Sequence, residues 1–199
     1  MIVRMNEDAF WALIDELSAR PGTRDERLEW LEGELLRRPA EESVAFQVRL
    51  EKACGAADTH ALWRAADRIE GGRCTDDGFH YFTLWLVGQG RKVYASVLAD
   101  PDALADVSDV RALAGRYHGD WDDDEWPEWE ELDYVAQDAY DELTGQEDDD
   151  GEEFLEAVEA AEALEEDEGE EDGERGAAGP EGLALPRLTA LFPLGPSGS

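Results

Sequence analysis

A chain of 199 residues with 51 acids, 17 bases and a formal charge of −34 has room for one ordinary domain and a tail, with a core that buries roughly two thirds of the unfolded surface. The acid is local: residues 1–119 hold 21 acids against 15 bases, residues 120–174 hold 29 acids and no base, and residues 175–199 hold one acid and two bases. That partition excludes a uniformly acidic surface of the halophile kind. It also disfavours direct binding of nucleic acid or of an anionic membrane, and leaves an unidentified protein, one with a basic surface, as the compatible partner.

Apolar residues recur at helical spacing and almost never alternate, so residues 1–145 read as mainly helical. Asn6 caps a first helix with Phe10, Leu13, Ile14 and Leu17 on one face, ending before Pro21-Gly22. Thr23 caps a second with Leu28, Leu31 and Leu35 inward, and a third runs from about Ala40 through Val44, Val48 and Leu50 to Gly55. Asp58 or Thr59 opens a fourth, striped by Leu62, Trp63, Ala66 and Ile69, and Gly71-Gly72 closes it where a left-handed residue is needed. Thr75-Asp76-Asp77 opens a fifth, with Phe79, Phe82, Trp85 and Leu86 on one side and Gly88-Gln-Gly90 as its stop. A sixth carries Val93, Val97 and Leu98. Asp100-Pro101-Asp102 restarts a short helical segment, and Val110 to Tyr117 is read as another. The last helix is placed from Pro127, favourable in a first turn because proline has no N–H to lose, with Leu132, Val135, Ala139, Tyr140 and Leu143 as its stripe and Gly145 as its stop.

After Gly145 the composition breaks. Residues 146–178 form a Glu/Ala/Gly-rich extension with too little apolar surface to offset its ordering entropy, and are expected to be largely disordered. Within them Glu152 to Glu166 has only a thin stripe of Phe154, Val158 and Ala161 among acids that repel at i, i+3 and i+4, so at most a transient helix is expected there. Residues 179–199 are a Pro/Gly/Leu-rich tail. Deleting the region beyond residue 146 is on this reading neutral for stability.

The two cysteines, Cys54 and Cys74, make no disulfide framework. The first residues lack the apolar stretch of a secretory signal, and no apolar run approaches the roughly 20 residues of a spanning helix. The expected location is the cytoplasm, with reduced thiols and no membrane association.

Trp63-Arg-Ala-Ala-Asp-Arg-Ile-Glu-Gly-Gly-Arg-Cys-Thr-Asp-Asp-Gly-Phe-His-Tyr-Phe-Thr-Leu-Trp-Leu-Val-Gly-Gln-Gly90 resembles the signature of a bacterial family, the domain of unknown function numbered forty-two forty. Its pattern reads W-x-A-A-x-x-I-x-G-G-x-C-[ST]-D-D-x-F-x-x-F-x-x-W-L-x-x-x-G. Phe10-Trp11-x-x-Ile14, Ala99-Asp-Pro-Asp-Ala-Leu-Ala-Asp106 and Ala139-Tyr140-x-x-x-Thr144-Gly145 match other parts of that family. Coverage is about residues 5–145, with Met5 at the usual start. The resemblance implies a small helical domain and supplies no activity, substrate or cofactor.

Cys54 and His60 are six apart, as are Cys74 and His80, but zinc signatures place two ligands two to four residues apart at a turn. No metal or other cofactor is expected. Asp76 and Asp77 are what a helix N-terminus favours, and equally a carboxylate pair that could touch a ligand or exchange protons. No nucleophile–base arrangement or phosphate loop accompanies them, so no catalytic residue is assigned. In Asp120-Trp-Asp-Asp-Asp-Glu-Trp-Pro-Glu-Trp-Glu-Glu131 three tryptophans interleave with dense acid. Trp121, Trp126 and Trp129 could dock in a partner's groove, or Trp126 and Trp129 could pack back on the domain. The fold expected is all-α: a compact multi-helix domain over 5–145 followed by a disordered acidic tail. The leading function is a protein-binding or regulatory module that uses the acidic Trp segment. The alternative is a small-molecule site or enzyme at the Arg73-Cys74-Asp76-Asp77 turn, and a third reading makes the acidic block a nucleic-acid mimic.

Overall fold

In the computed structural model, residues 5–145, 151–168 and 184–193 are described, and all of their regular structure is helical, with no strand among them. The all-α fold read from the periodicity is therefore what the chain adopts. The described residues divide into two compact units, 5–53 with 130–145 and 151–168, and 54–129 with 184–193.

The first unit opens with α1 (Glu7–Ala19), whose start is fixed by Asn6 accepting the Ala9 N–H at 2.8 Å. Its stripe of Phe10, Ile14 and Leu17 is buried, and the Phe10 ring lies 5.2 Å from that of Phe46. Thr23 and Glu26 form a reciprocal capping box that starts α2 (Arg24–Leu35). Leu31 and Leu35 are fully buried, and α2 packs against α1 and α8 (Val135–Thr144). α3 (Ala40–Ala57) buries Val44, Phe46, Val48 and Leu50, residues too evenly spread for one narrow face, as befits a helix enclosed on several sides. Gly145, at φ +76°, stops α8 in the left-handed conformation and donates its N–H to the Asp141 carbonyl.

Two differences from the sequence reading fall here. The last helix begins at Val135, not near Pro127, after a short 3₁₀ turn at Glu130–Asp133. Residues 127–129 stay out of the helix: the Trp129 N–H donates to the Tyr81 carbonyl at 3.0 Å, and Pro127 is buried. The second difference is α9 (Glu152–Glu168), a continuous helix where a transient one was expected. Its thin stripe is sufficient because it is covered: Phe154 and Val158 are buried, and the Phe154 ring lies 5.3 Å from Tyr140. Its acid is partly matched, since Glu165 receives Arg49 at 2.7 Å and also Lys52. Packing supplies what the isolated segment lacks. The remaining parts expected to be disordered, 146–150 and 169–178, lie outside the described residues, as does most of the Pro/Gly/Leu-rich tail.

The second unit is built on α4 (His60–Ile69), α5 (Asp76–Gly88), α6 (Arg91–Ala99), α7 (Ser108–Leu113) and α10 (Pro186–Leu191), with 3₁₀ turns at Pro101–Asp106, His118–Asp120 and Asp123–Glu125. Thr59 caps α4 through the Leu62 N–H. At its other end the Gly72 N–H reaches back to the Asp67 carbonyl at 2.8 Å, with Gly71 and Gly72 at φ +70° and +82°. In α5, Phe79 is buried and so is every residue from Phe82 to Gly88, so its second half is enclosed on all sides while Asp76, Asp77 and His80 in the first half are exposed. In α6, Tyr94 and Val97 face inward and Leu98, expected inside, is exposed. No described helix is long and apolar enough to cross a membrane.

Candidate functional site

The two sequence features singled out for function, the Cys74 turn and the Trp-containing acidic segment, lie in the same unit and pack on one another. Asp67 organises the turn after α4, accepting the Gly72 N–H on its carbonyl and the Cys74 N–H on its carboxylate at 3.3 Å. Thr75 then caps α5 by accepting the Gly78 N–H at 3.0 Å. Asp76 and Asp77 occupy the first turn of α5, exposed, where the helix dipole favours a carboxylate. Arg73 is exposed as well.

The second feature closes over this turn. His118 Nε2 lies 3.0 Å from the Ile69 carbonyl, and its ring sits over Gly71 so closely that a Cβ there would fall 2.7 Å from Cε1. Gly71 is therefore required twice, by its positive φ and by the imidazole above it. The His118 ring lies tilted against Trp121, with centroids 4.5 Å apart, and Trp121 meets Trp126 edge-on at 4.8 Å. Trp121 and Trp129 are buried and Trp126 is half-buried, so the indoles brace the segment from within. The sequence left open whether the tryptophans dock outward or inward, and two of the three are turned inward.

Outside this aromatic base, Arg116 makes a two-pronged pair with Glu125 at 2.6 and 2.8 Å and binds the Asp120 carbonyl at 2.7 Å. The guanidinium, with the Asp122 N–H as a second donor, holds the Glu125 carboxyl down at about 2. Asp120, Asp122, Asp123 and Asp124 project into solvent from this clamped loop.

Sequence reasoning missed Glu70, the residue with the most unusual chemistry. It is 2% exposed, its Oε1 has no hydrogen-bond partner, and burial, followed by the nearby Glu128 charge, raises its carboxyl to about 7. Glu128 arrives with the acidic segment and also crowds Gly78, where a Cβ would lie 3.3 Å from its Oε1. Burial first, and then the Glu70 charge, push the Cys74 thiol up to about 12. At neutral pH Cys74 is a protonated thiol and not a nucleophile. A glutamate one residue before a Gly-Gly stop is ordinary in sequence; only the fold turns it inward.

Glu70 yields a pH-dependent expectation. Its carboxyl is raised in the folded state, so below about pH 4.5 both states are protonated and it costs nothing. Between that pH and about 7 the unfolded chain releases the proton first, stability falls as pH rises, and above 7 the whole penalty applies. Glu70→Gln is expected to gain about 2–3 kcal/mol at pH 8 and to lose most of that gain by pH 5, read from paired urea titrations. An equal gain at both values would show that Glu70 is not the titrating group.

Beside α5 a hollow of about 190 Å³ is lined by Cys54, Asp58, Asp76, Phe79, His80 and Thr83. It reaches Asp76 but neither Asp77 nor Arg73. Among the described residues no group of three or more His, Cys, Asp or Glu side chains is placed to hold a metal ion. No curated protein and no solved structure matches the chain. The family model described as "Protein of unknown function (DUF4240)" matches residues 5–142, spanning the signature, the Cys74 turn and the acidic Trp segment, and the chain belongs to that family.

Proposed function

We propose that the chain is a protein-binding module that offers the 120–125 loop to a partner with a basic surface. The observation that carries this reading is the bracing of the acids: four exposed aspartates stand on a loop clamped by Arg116–Glu125 and backed by buried Trp121. A charge run that is merely solvated needs no such frame. A fixed array of like charges steers an oppositely charged partner and loses little side-chain freedom on contact.

A reaction at the Cys74 turn is less well supported. Its thiol is protonated, Glu70 is enclosed, and Asp77 and Arg73 stand exposed outside the small hollow that Asp76 borders.

The test compares two multiple substitutions in the full chain by pull-down from native lysate with a salt series. Asp122, Asp123 and Asp124 to Asn together are expected to weaken recovery of the partner at least about tenfold, most at low salt. Asp76→Asn with Asp77→Asn is expected to leave recovery intact. Retention after the triple change, with loss after the double change in a folded chain, would move the active surface to the Cys74 turn.

A further inference from the structure

We infer that the 3₁₀ turn Pro101–Asp106 together with α4 forms a peptide-binding cleft, occupied in cis by residues 185–192 and open to a partner helix of the same chemistry. That chemistry is apolar-Pro-Arg-Leu-x-x-x-Phe.

The cleft is built around Asp102, a carboxylate only 4% exposed. Its Oδ1 accepts the Leu188 N–H at 2.9 Å, and its Oδ2 accepts the Arg187 N–H at 3.0 Å and Arg187 Nε at 3.2 Å. Pro186 opens α10 and has no N–H, so Asp102 takes the first two N–H groups that the helix can offer. The Arg187 guanidinium continues to Asp106 at 2.5 Å and Asp100 at 3.4 Å. Three carboxylates of one turn thus converge on one residue that lies some 85 positions away in sequence. Beside them Leu185, Leu188 and Phe192, at i, i+3 and i+7, are all buried.

Three features identify this as a recognition cleft and not ordinary core. First, the family model covers the receptor and not its occupant. Asp100, Asp102 and Asp106 lie inside the span matched to the family, and residues 185–192 lie outside it. Second, the cleft exceeds its occupant. A hollow of about 380 Å³ flanks α10 between Arg64, Arg68, Leu185 and Thr189, and another of about 330 Å³ lies between Gly71, His118 and Phe192. Third, α10 has six residues, too few to hold a helix alone, so its order comes from the cleft. A tethered ligand acts at an effective concentration of the order of millimolar. Weak intrinsic affinity therefore fills the cleft in cis, and a better-fitting partner segment displaces the tail. The buried Asp102 makes the choice strict, since an occupant without a cation and free N–H groups leaves it uncompensated.

The inference is independent of the acidic-loop reading, and the experiment addresses the cleft alone. The probe is a fluorescent synthetic peptide covering residues 183–194, and the host is the full chain carrying Leu188→Asp, which ejects its own tail. By anisotropy the peptide is expected to bind this host at least about tenfold more tightly than the wild-type chain, where the cis segment competes. Binding is expected to vanish when the peptide carries Arg187→Glu and to weaken at least about tenfold when the host also carries Asp102→Asn. A second host guards against misfolding: the wild-type chain with a protease site inserted between residues 169 and 183, cut after folding, should exchange its released C-terminal fragment for the labelled peptide. No uptake by either host, or equal binding of the normal and charge-reversed peptides, overturns the inference. So does a wild-type dimer that grows with concentration and is abolished by Arg187→Glu, which would assign the cleft to tails exchanged between two copies.

Discussion

Replacing Phe82 by Ala is expected to cost about 3–5 kcal/mol of stability, read as a shift in urea midpoint at unchanged slope. Phe82 is fully buried in the middle of α5, stacked on Phe79 with rings 6.1 Å apart and nearly parallel, and 5.4 Å from Trp85. The substitution removes the ring from an aromatic row, so the cavity it leaves is lined by large flat side chains that cannot collapse into it. Trp63 continues the row, 4.9 Å from Phe79, so the loss extends to the packing of α4 on α5. A variant as stable as the parent would place this aromatic row on the surface and make it a binding stripe.

Deleting residues 147–199 is expected to lower the thermal midpoint by roughly 4–8 °C, the shift that a loss of about 2 kcal/mol produces in a chain of this size. This departs from the neutral effect read from composition. The deletion removes Phe154 and Val158 from the first unit and Leu185, Leu188 and Phe192 from the second, all of them buried. It also strands Arg49 without Glu165 and leaves Asp102 without Arg187. The net cost is smaller than the burial alone implies, because the truncated chain no longer orders α9 and α10. Calorimetry of the two chains side by side decides the matter: midpoints within a degree would mean that neither helix contributes to the stability of the unit it joins.

The sequence by itself determined the helix boundaries that depend on near neighbours. Asn6, Thr23 and Thr75 cap the helices that they precede, and Gly71-Gly72 and Gly145 stop theirs, because a cap or a left-handed stop is decided within a few residues of chain; of Asp58 and Thr59, between which the sequence left the choice open, Thr59 is the cap. The all-α class and the family signature were legible for the same local reason. Where a distant group competes, local reading fails. Pro127 has the right chemistry for a first helical turn, yet Pro127 and Trp129 are buried, the Trp129 N–H is anchored to the distant Tyr81 carbonyl, and the helix starts at Val135. Tertiary structure alone decided that Trp121 and Trp129 turn inward and that Glu70, Cys74 and Glu128 come close enough for their charges to interact. It also decided that Arg187, one of two bases in the last 25 residues, sits among Asp100, Asp102 and Asp106. Periodicity reports which face of a helix is apolar; the pairing of charges across tens of residues depends on which faces meet, and that is settled only when the helices pack.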